Sequence, residues 1–201
     1  MDFLELFDRE CAPRLDVSDR LMRGATFRRL FELLLEQRRP YYRLVETGCT
    51  RRRGNWGDGQ STLLFDLFLQ HHDGCLVSVD INPDNCRIAR ELVTHKVQVV
   101  CGDSVAFLAD GAATLIEPPI DLLYLDSFDL DPDRLFPSAF HHLKELWAAE
   151  PLLRPGSIIA VDDNLVGADG ASAGKGMLVA NFMAQRGRLP VIDGYQRAWI
   201  W

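Results

Sequence analysis

The sequence lacks several features that would assign it to a specialised class of protein. It contains no apolar run close to the roughly 20 residues that a membrane-spanning helix needs. Residues 1–5 are acidic and do not show the basic-then-apolar pattern of a signal peptide. The five cysteines are scattered without a C-x-x-C pair, so neither a disulfide framework nor a zinc knuckle is indicated. A cytoplasmic location is therefore expected.

Basic residues are in the minority. The formal net charge is -7, and the only dense basic cluster is Arg51-Arg52-Arg53. Binding to a nucleic-acid backbone requires a clustered basic face, so no nucleic-acid partner is expected. Repeats and Gly/Ser linkers are also missing, and a chain of 201 residues fits one domain. Nothing in the sequence fixes the oligomeric state, and a homodimer is one of the alternatives.

What the sequence does contain is an alternation of strand-like and helix-like runs, which is typical of a parallel sheet covered by helices on both faces. The predicted strands are residues 43–46, 76–80, 97–101, 120–126, 157–161, 189–193 and 197–201. The predicted helices are residues 61–71, 83–94, 104–116, 138–152 and 176–185. Gly194 lies between the last two strands, which indicates a closing hairpin.

One further helix is predicted before the sheet. Its apolar residues at helical spacing are Phe27, Leu30, Phe31 and Leu34. Ser18 or Asp19 is the expected N-cap. The helix should end near Arg39-Pro40, because proline disfavours helical geometry in the residue before it. Residues 1–40 are therefore expected to form a helical cap on a core of residues 41–201 within a single domain.

The segment after the first core strand carries the clearest functional signal. The strand runs into Glu46 and Gly48, and Gly59 and Ser61 lie where the next helix begins. A glycine turn lets a ligand approach the backbone, and a helix start presents free N–H groups. One βα unit later the next strand ends in Asp80, where an acid can accept hydrogen bonds from both ribose hydroxyls of an adenosine. A nucleoside-containing cofactor is predicted.

The glycine pattern distinguishes between cofactors. A dinucleotide site needs G-x-G-x-x-G to hold a pyrophosphate, and no such triad follows Glu46. A carboxylate there suits an amine-bearing ligand better, because like charges repel at short range. The pattern resembles the class I S-adenosylmethionine-dependent methyltransferases, whose first motif is an acid followed by a small glycine turn. Their second motif is an acid at the end of the next strand.

This resemblance implies an α/β fold: a Rossmann-like three-layer sandwich with a mostly parallel seven-stranded sheet and an antiparallel terminal strand. It implies S-adenosylmethionine as cofactor, with the ribose on Asp80, the amino-acid end near Glu46 and Gly48, and the adenine amine near Asp103. Alternatively, Asp103 or Ser104 only caps the next helix. The expected cofactor-binding residues are Glu46, Gly48, Thr50, Gly59, Ser61, Asp80, Ile81, Asp103, Ser104 and Asp126.

Two further acidic clusters follow the fourth and fifth strands, at Asp126 and at Asp162-Asp163-Asn164. They resemble the metal-dependent O-methyltransferases of the catechol and caffeoyl-coenzyme A type. The resemblance implies one divalent cation on Asp126, Asp163 and Asn164, and such oxygen ligands suit Mg²⁺. The chain departs from that family in the longer segment between the clusters, in an insert at residues 51–58, and in a missing lysine after the first metal aspartate. A metal-free site with Asp126 as a polar anchor is the alternative.

Three other features have both a functional and an ordinary interpretation. The loop of residues 51–59 is predicted to close over the cofactor, with an arginine pairing a carboxylate; the alternative is a solvated loop. His141-His142 is predicted to open a helix beside the site, where His142 or Asp126 would act as the general base. Histidines on such a helix more often fill surface and core. Gly174-Lys175-Gly176 indicates a flexible entry to the last helix.

The predicted function is transfer of a methyl group from S-adenosylmethionine to an oxygen of a small molecule, with Asp126, Asp163 and Asn164 holding a metal. The rival functions are an NAD(P)-dependent oxidoreductase, which the missing glycine triad disfavours, and a metal-dependent hydroxylase or non-catalytic adenosyl-ligand binder on the same fold. One fold hosts many functions, so these rivals differ at the site and not in the architecture.

Overall fold

A seven-stranded sheet organises the computed structural model, which describes residues 2–18, 21–58, 60–166 and 172–201. In chain order the strands are β1 (Asp16–Ser18), β2 (Leu21–Met22), β3 (Tyr42–Thr47), β4 (Gly74–Asp80), β5 (Val97–Cys101), β6 (Leu122–Leu125), β7 (Ile158–Val161), β8 (Asn164–Val166), β9 (Ser172–Gly174), β10 (Ile192–Asp193) and β11 (Arg197–Ile200). The order in the sheet is β10-β11-β7-β6-β3-β4-β5. The pairs β1–β2 and β8–β9 are separate antiparallel ladders.

The predicted topology is confirmed. Strands β7, β6, β3, β4 and β5 are parallel to one another. The last strand, β11, is antiparallel to both β7 and β10 and so lies inserted in the sheet. Each of the seven predicted strands corresponds to one strand of this sheet. Their buried faces explain the agreement, because four-residue runs such as Ile158–Val161 are buried throughout.

Helices cover both faces of the sheet. They are α1 (Phe3–Glu10), α2 (Ala12–Leu15), α3 (Arg23–Glu36), α4 (Ser61–His71), α5 (Pro83–Leu92), α6 (Ser104–Ala106), α7 (Ala112–Leu115), α8 (Leu135–Ala149) and α9 (Met177–Gln185). A π-helical turn, Phe107–Gly111, joins α6 to α7, and single 3₁₀ turns form at Trp56–Asp58 and Glu150–Leu152. None of the described helices is long and apolar enough to cross a membrane.

The predicted cap of the N-terminal helix is wrong. Helix α3 begins at Arg23 with Met22 as its N-cap, and no side chain caps it there. Ser18 lies in β1, and Asp19 falls outside the described residues. The Oδ1 atom of Asp16 instead accepts the first-turn Gly24 N–H at 2.8 Å, so the hairpin β1–β2 separates the helix from the predicted cap.

The N-terminal helices belong to the hydrophobic core on one face of the sheet. Phe3 of α1 packs edge-on against Phe31 of α3, with ring centroids 4.7 Å apart. Phe27 of α3 stacks on Tyr124 of β6 at 5.7 Å. Aromatic pairs of this kind add to the burial of their own large surfaces. A second core, on the other face, includes Leu146 of α8 and Trp199 of β11, so the sheet lies between two helical layers.

Candidate functional site

The site lies at the carboxyl ends of β3 and β6, where the strand order reverses. From β3 the chain continues to β4 on one side, while β6 and β7 lie on the other. In open α/β sheets, ligands bind outside the strands at such a switch point. Gly48 makes this junction close, because a Cβ there would lie 2.5 Å from the Asp126 carbonyl oxygen. Its φ of +81° also favours glycine.

Two adjoining cavities open at this edge. The polar cavity, of about 280 Å³, is lined by Gly48, Cys49, Thr50, Arg51, Asp58, Gln60, Ser61, Asp80, Ile81, Asn82, Asn85, Asp126, Ser127 and Asp129. The apolar cavity, of about 330 Å³, is lined by Val79, Asp80, Ile81, Asp103, Ser104, Ser127, Phe128 and His141. Shared walls at Asp80, Ile81 and Ser127 make the two cavities neighbours. Together they suit a ligand with one polar and one flat apolar part.

Asp80 is held at the boundary between the two cavities. Its Oδ2 accepts the Cys49 N–H at 3.2 Å, and its Oδ1 accepts the Asn82 N–H at 2.7 Å. The Asn85 amide donates to both oxygens at 3.2 and 3.3 Å. These donors fix the carboxylate before any ligand arrives, which suits the predicted contact with ribose hydroxyls.

Glu46 lies fully buried beneath the polar cavity. Its Oε2 accepts hydrogen bonds from Ser78 at 2.6 Å and Thr62 at 2.7 Å, while Oε1 has no partner among the described residues. Burial raises the pKa of Glu46 to about 7, and the surrounding hydroxyls oppose this rise only in part. Thr50 Oγ1 and Gln60 Oε1 are likewise buried without a partner. Thr50 and Gln60 line the polar cavity, whereas Glu46 lines neither cavity. Buried acceptors without a partner at and behind a cavity wall suit a ligand that brings donors, such as the ammonium group of S-adenosylmethionine.

The wall of the apolar cavity is organised by Glu145 of α8. This buried carboxylate accepts hydrogen bonds from Ser127 at 2.6 Å and Thr47 at 3.2 Å, and His141 Nε2 lies 3.3 Å away. His141 Nε2 is also 3.1 Å from Ser104 Oγ. Asp103 caps α6 by accepting the Ala106 N–H at 2.8 Å, and it also lines the apolar cavity. Its contact with the adenine amine stays a prediction.

The insert after β3 is held at the site by hydrogen bonds from Gln60 and Arg23. The Gln60 amide donates to the carbonyls of Arg52 and Asn55 at 3.0 and 3.1 Å. Arg23 of α3 donates to the Gly57 carbonyl at 2.7 Å. Arg51 and Asp58 line the polar cavity, and Gly59 lies outside the described residues. The insert thus forms one wall of the cavity.

Lys175 lies between two of the predicted metal ligands. Its Nζ is hydrogen-bonded to Asp126 Oδ1 and lies 2.9 Å from Asp163 Oδ2. Lys175 is 1% exposed. Burial lowers the pKa of its ammonium group, but the carboxylates of Asp126 and Asp163 outweigh that effect and hold the pKa above its ordinary value. The residue is therefore a buried cation.

A second buried cation, Arg23, binds the neighbouring carboxylates of Asp162 and Asp163. Its guanidinium donates to Asp162 at 3.2 Å and to Asp163 at 3.1 Å. The ring of Tyr195 lies under it, 4.5 Å from the guanidinium carbon, and the Tyr195 hydroxyl donates to Asp163. Burial would raise the pKa of Asp163, yet Lys175, Tyr195 and Arg23 together hold it below its ordinary value.

The residues as placed do not fit the predicted divalent cation. Asp126 and Asp163 already bind an ammonium group between them. Asn164 donates its amide to the Val161 carbonyl at 2.7 Å. Its Oδ1 is buried without a partner among the described residues and faces Gly176, where a Cβ would lie only 2.1 Å away. Among the described residues, no three His, Cys, Asp or Glu side chains are grouped so as to hold a metal ion. The metal remains a prediction and enters no step of the mechanism below.

The structure separates His142 from the site. Helix α8 begins at Leu135, so His141 and His142 lie inside it and do not open it as expected. His142 is fully buried, lines neither cavity, and bonds through Nδ1 to the Ser138 carbonyl at 2.7 Å. Burial lowers its pKa to about 4. His141 is the histidine that reaches a cavity wall.

Most predicted cofactor-binding residues come together. Those lining the two cavities are Gly48, Thr50, Ser61, Asp80, Ile81, Asp103, Ser104 and Asp126. Sequence reasoning missed Arg23, Lys175 and Tyr195 as parts of the site. The one available signal was electrostatic, because clustered carboxylates require a compensating cation. No local pattern shows which cation the chain supplies.

Comparisons with known proteins agree with this fold. The structure resembles crystal structures of the MycE methyltransferase from the mycinamycin biosynthetic pathway, in complex with Mg and SAH and with Mg, SAH and mycinamycin VI. Identities are 17% and 18%, with a TM-score of 0.63 in both, over 100% of this chain and 54% of the MycE chain. NSun6 from Pyrococcus horikoshii matches at 16% identity and a TM-score of 0.50, over 79% of this chain and 40% of its own. These identities show the fold alone.

The chain spans about half the length of the MycE chains it matches. A search among curated proteins found no match. The family is shown by the sequence itself, since residues 55–164, more than half of the chain, match a model described as a methyltransferase domain. The chain therefore belongs to the methyltransferase-domain family.

Proposed function

We propose that the protein methylates a hydroxyl group of a small molecule. The observation that carries this proposal is the position of Asp126, which lines the cofactor cavity beside Arg51 and Asp129. A carboxylate there is within reach of an acceptor oxygen and can take its proton. The mycinamycin VI in one MycE complex also supports a small-molecule acceptor.

The chain's own residues do four things in this reaction. Asp80, Glu46 and Gln60 would hold the cofactor through its ribose and amino-acid end, and Ser104 would border its adenine. When bound, S-adenosylmethionine supplies the methyl group as a sulfonium. A carboxylate oxygen of Asp126 would accept the proton of the acceptor hydroxyl as the hydroxyl oxygen takes the methyl group. The insert and α8 enclose the cavities and exclude water, so catalysis rests mainly on positioning.

One observation favours a second candidate, methylation of an amine. The polar cavity is lined by Asp58, Asp126 and Asp129 as well as Asp80, and Arg51 is the one cation among its described lining residues. Lys175 pairs with Asp126 from behind the cavity wall. Arg51 already pairs with Asp129 at 2.9 Å. An excess of carboxylates attracts cationic acceptors.

Formation of S-adenosylhomocysteine, measured over matched alcohols, phenols and amines, tests the proposal. Turnover restricted to hydroxylated acceptors supports it, and turnover restricted to amines supports the second candidate. Asp126→Asn should lower kcat by about 10²–10⁴-fold, the range for a general base. Asp129→Asn, at a more exposed position of the same cavity, is the matched control. Full turnover by Asp126→Asn would contradict the assigned role.

A further inference from the structure

We propose that Lys175 takes the place of the divalent cation expected from the family resemblance, so that methyl transfer by this protein needs no metal. The inference deepens the proposed function and rests on it. Lys175 is here a positioning residue: it lines neither cavity, and it binds the Asp126 side chain that does.

The contacts of Lys175 are those that a bridging metal would make. Its Nζ joins Asp126, after β6, to Asp163, after β7. A buried ammonium group without partners would be strongly unfavourable, and so would two buried carboxylates facing each other. Each charge therefore compensates the other. A divalent ion at the same point would first have to expel a side chain that is 1% exposed.

The backbone around Lys175 is shaped to bring it there. Gly174 has a φ of +82°, and a Cβ on it would lie 2.2 Å from the Asp163 carbonyl oxygen. A Cβ on Gly176 would lie 2.1 Å from Asn164 Oδ1. The Lys175 N–H donates to the Asp163 carbonyl at 3.1 Å. The two glycines thus allow a close approach to the end of β7, which accounts for them better than flexible entry to α9.

Two buried cations compensate two of the three negative charges of the cluster without a metal. Three carboxylates, Asp126, Asp162 and Asp163, meet two cations, Arg23 and Lys175. Every one of the three carboxylates contacts a cation. The third predicted metal ligand, Asn164, directs its amide to backbone carbonyls.

Acceptor recognition follows from this arrangement. A metal ion with two open coordination positions can bind two adjacent oxygens of an acceptor. A buried ammonium group offers no such positions, so a single hydroxyl suffices and vicinal oxygens are not required. Asp126, 19% exposed at its side chain, is the group that meets the acceptor.

The wild-type protein provides the first test. Mn²⁺ is titrated by electron paramagnetic resonance and Mg²⁺ by calorimetry, each with and without S-adenosylhomocysteine. We expect no saturable site below millimolar concentration and no change in unfolding temperature on adding a chelator. One tightly bound Mn²⁺ per chain, lost in Asp163→Asn, would overturn the inference. Binding of S-adenosylhomocysteine in the same samples reports separately on the cofactor site, so failure of the inference and failure of the proposed function are distinguishable.

Variants of Lys175 provide the second test. Lys175→Met leaves Asp126 without a cation and Asp163 with Arg23 alone. The unfolding temperature should therefore fall by about 10 °C, and Mn²⁺ should now bind and partly restore it. Lys175→Arg keeps a cation and should lie close to the wild type. Lys96→Met, which removes a surface partner of Asp73, is the control. A Lys175→Met protein that has wild-type stability and does not bind Mn²⁺ would overturn the inference. If that variant does not fold, the metal titration of the wild type and the stability of Lys175→Arg decide.

Discussion

The carboxylate of Asp80 borders both cavities and is already oriented by donors from Cys49, Asn82 and Asn85. We predict that Asp80→Ala weakens S-adenosylhomocysteine binding by about 1.5–3 kcal/mol, the range for hydrogen bonds to a charged group. Calorimetry measures the effect. Asp84→Ala, on the exposed start of α5, is the matched control and should bind normally. If the two variants bound S-adenosylhomocysteine with equal affinity, Asp80 would not be a cofactor-binding residue.

Glu46 makes cofactor binding depend on pH. Because burial raises its pKa to about 7, the free protein carries a neutral Glu46 below that pH and a carboxylate above it. The cofactor's ammonium group favours the carboxylate, so affinity should rise with pH through 7. Below pH 7, the dissociation constant should increase by up to about tenfold per pH unit.

Titration calorimetry from pH 5.5 to 8.5 checks this expectation for Glu46. Glu46→Gln cannot ionise and should bind weakly at every pH with a flat profile. A wild-type profile as flat as that of the variant would show that Glu46 does not pair with the cofactor.

The strand-end acids were predictable because their signal is local. Asp80 and Asp126 directly follow apolar strands, and parallel strands bring such ends to one edge. Arg23 was not predictable, since 139 residues separate it from Asp162 in sequence. Lys175 is 49 residues from Asp126, and its partner is set by the packing of Gly174 and Gly176. Long-range pairing leaves no periodic trace in a single sequence.

At the scale of elements, the turn after β3 depends on the close contact between Gly48 and β6. Gly54, in the insert, also has a positive φ, +71°, but a Cβ there meets nothing within 4 Å. Gly54→Ala should therefore lower the free energy of unfolding by at most about 1–2 kcal/mol, the strain of the left-handed conformation. Gly48→Ala adds an overlap with Asp126 and should cost about 1–3 kcal/mol more.

Urea unfolding of the two alanine variants measures that difference. A Gly48→Ala protein as stable as Gly54→Ala would mean that the turn moves away from β6 without loss. Cofactor binding should fall only in Gly48→Ala, because Gly48 lines the polar cavity and Gly54 does not.

The insert wall is predicted to change its dynamics when the cofactor binds. Its only described 3₁₀ turn is Trp56–Asp58, and Arg51 and Asp58 face the cavity. Holding a glycine-containing loop in one conformation costs conformational entropy, which contacts with the cofactor would have to offset. Hydrogen exchange over residues 51–58 should slow when S-adenosylhomocysteine is added, while α5 serves as internal control. Identical exchange in both states would leave the interpretation as a solvated loop in place.

The regular elements were predictable where one face is uniformly apolar. Helix α4 has the predicted bounds, and every core strand was found. The pairs β1–β2 and β8–β9 were not predicted, because strands of two or three residues carry too little periodicity. Helix α8 starts three residues before the predicted Ser138, at Leu135, since Pro137 fits the first turn of a helix.

At the scale of the whole molecule, the N-terminal helices connect the core to the site. Phe3 and Phe7 pack in one aromatic cluster with Phe31, and Phe27 of the same helix contacts Tyr124 in the sheet. That helix also carries Arg23, which binds Asp162 and the insert. Residues 2–18 and 21–40 are therefore part of the structure that shapes the site, more than an accessory cap.

This integration predicts a single unfolding transition. Phe7 is fully buried and Phe136 is 59% exposed, so the two form a matched pair of phenylalanines. Phe7→Ala should lower the free energy of unfolding by about 3–5 kcal/mol, the range for emptying a core aromatic site. Phe136→Ala should change it by less than about 1 kcal/mol, as for other surface substitutions. Urea unfolding is followed by far-ultraviolet circular dichroism and by tryptophan fluorescence. The fluorescence is measured in a background with Trp56, Trp147 and Trp201 replaced by phenylalanine, so that it reports Trp199 in the core on the opposite face of the sheet. Coincident curves for Phe7→Ala mean that loosening the N-terminal helices destabilises the whole domain. If the fluorescence transition kept its wild-type midpoint while the circular dichroism shifted, the N-terminal helices would be a separately unfolding cap, and the contact of Arg23 with Asp162 would not couple them to the site.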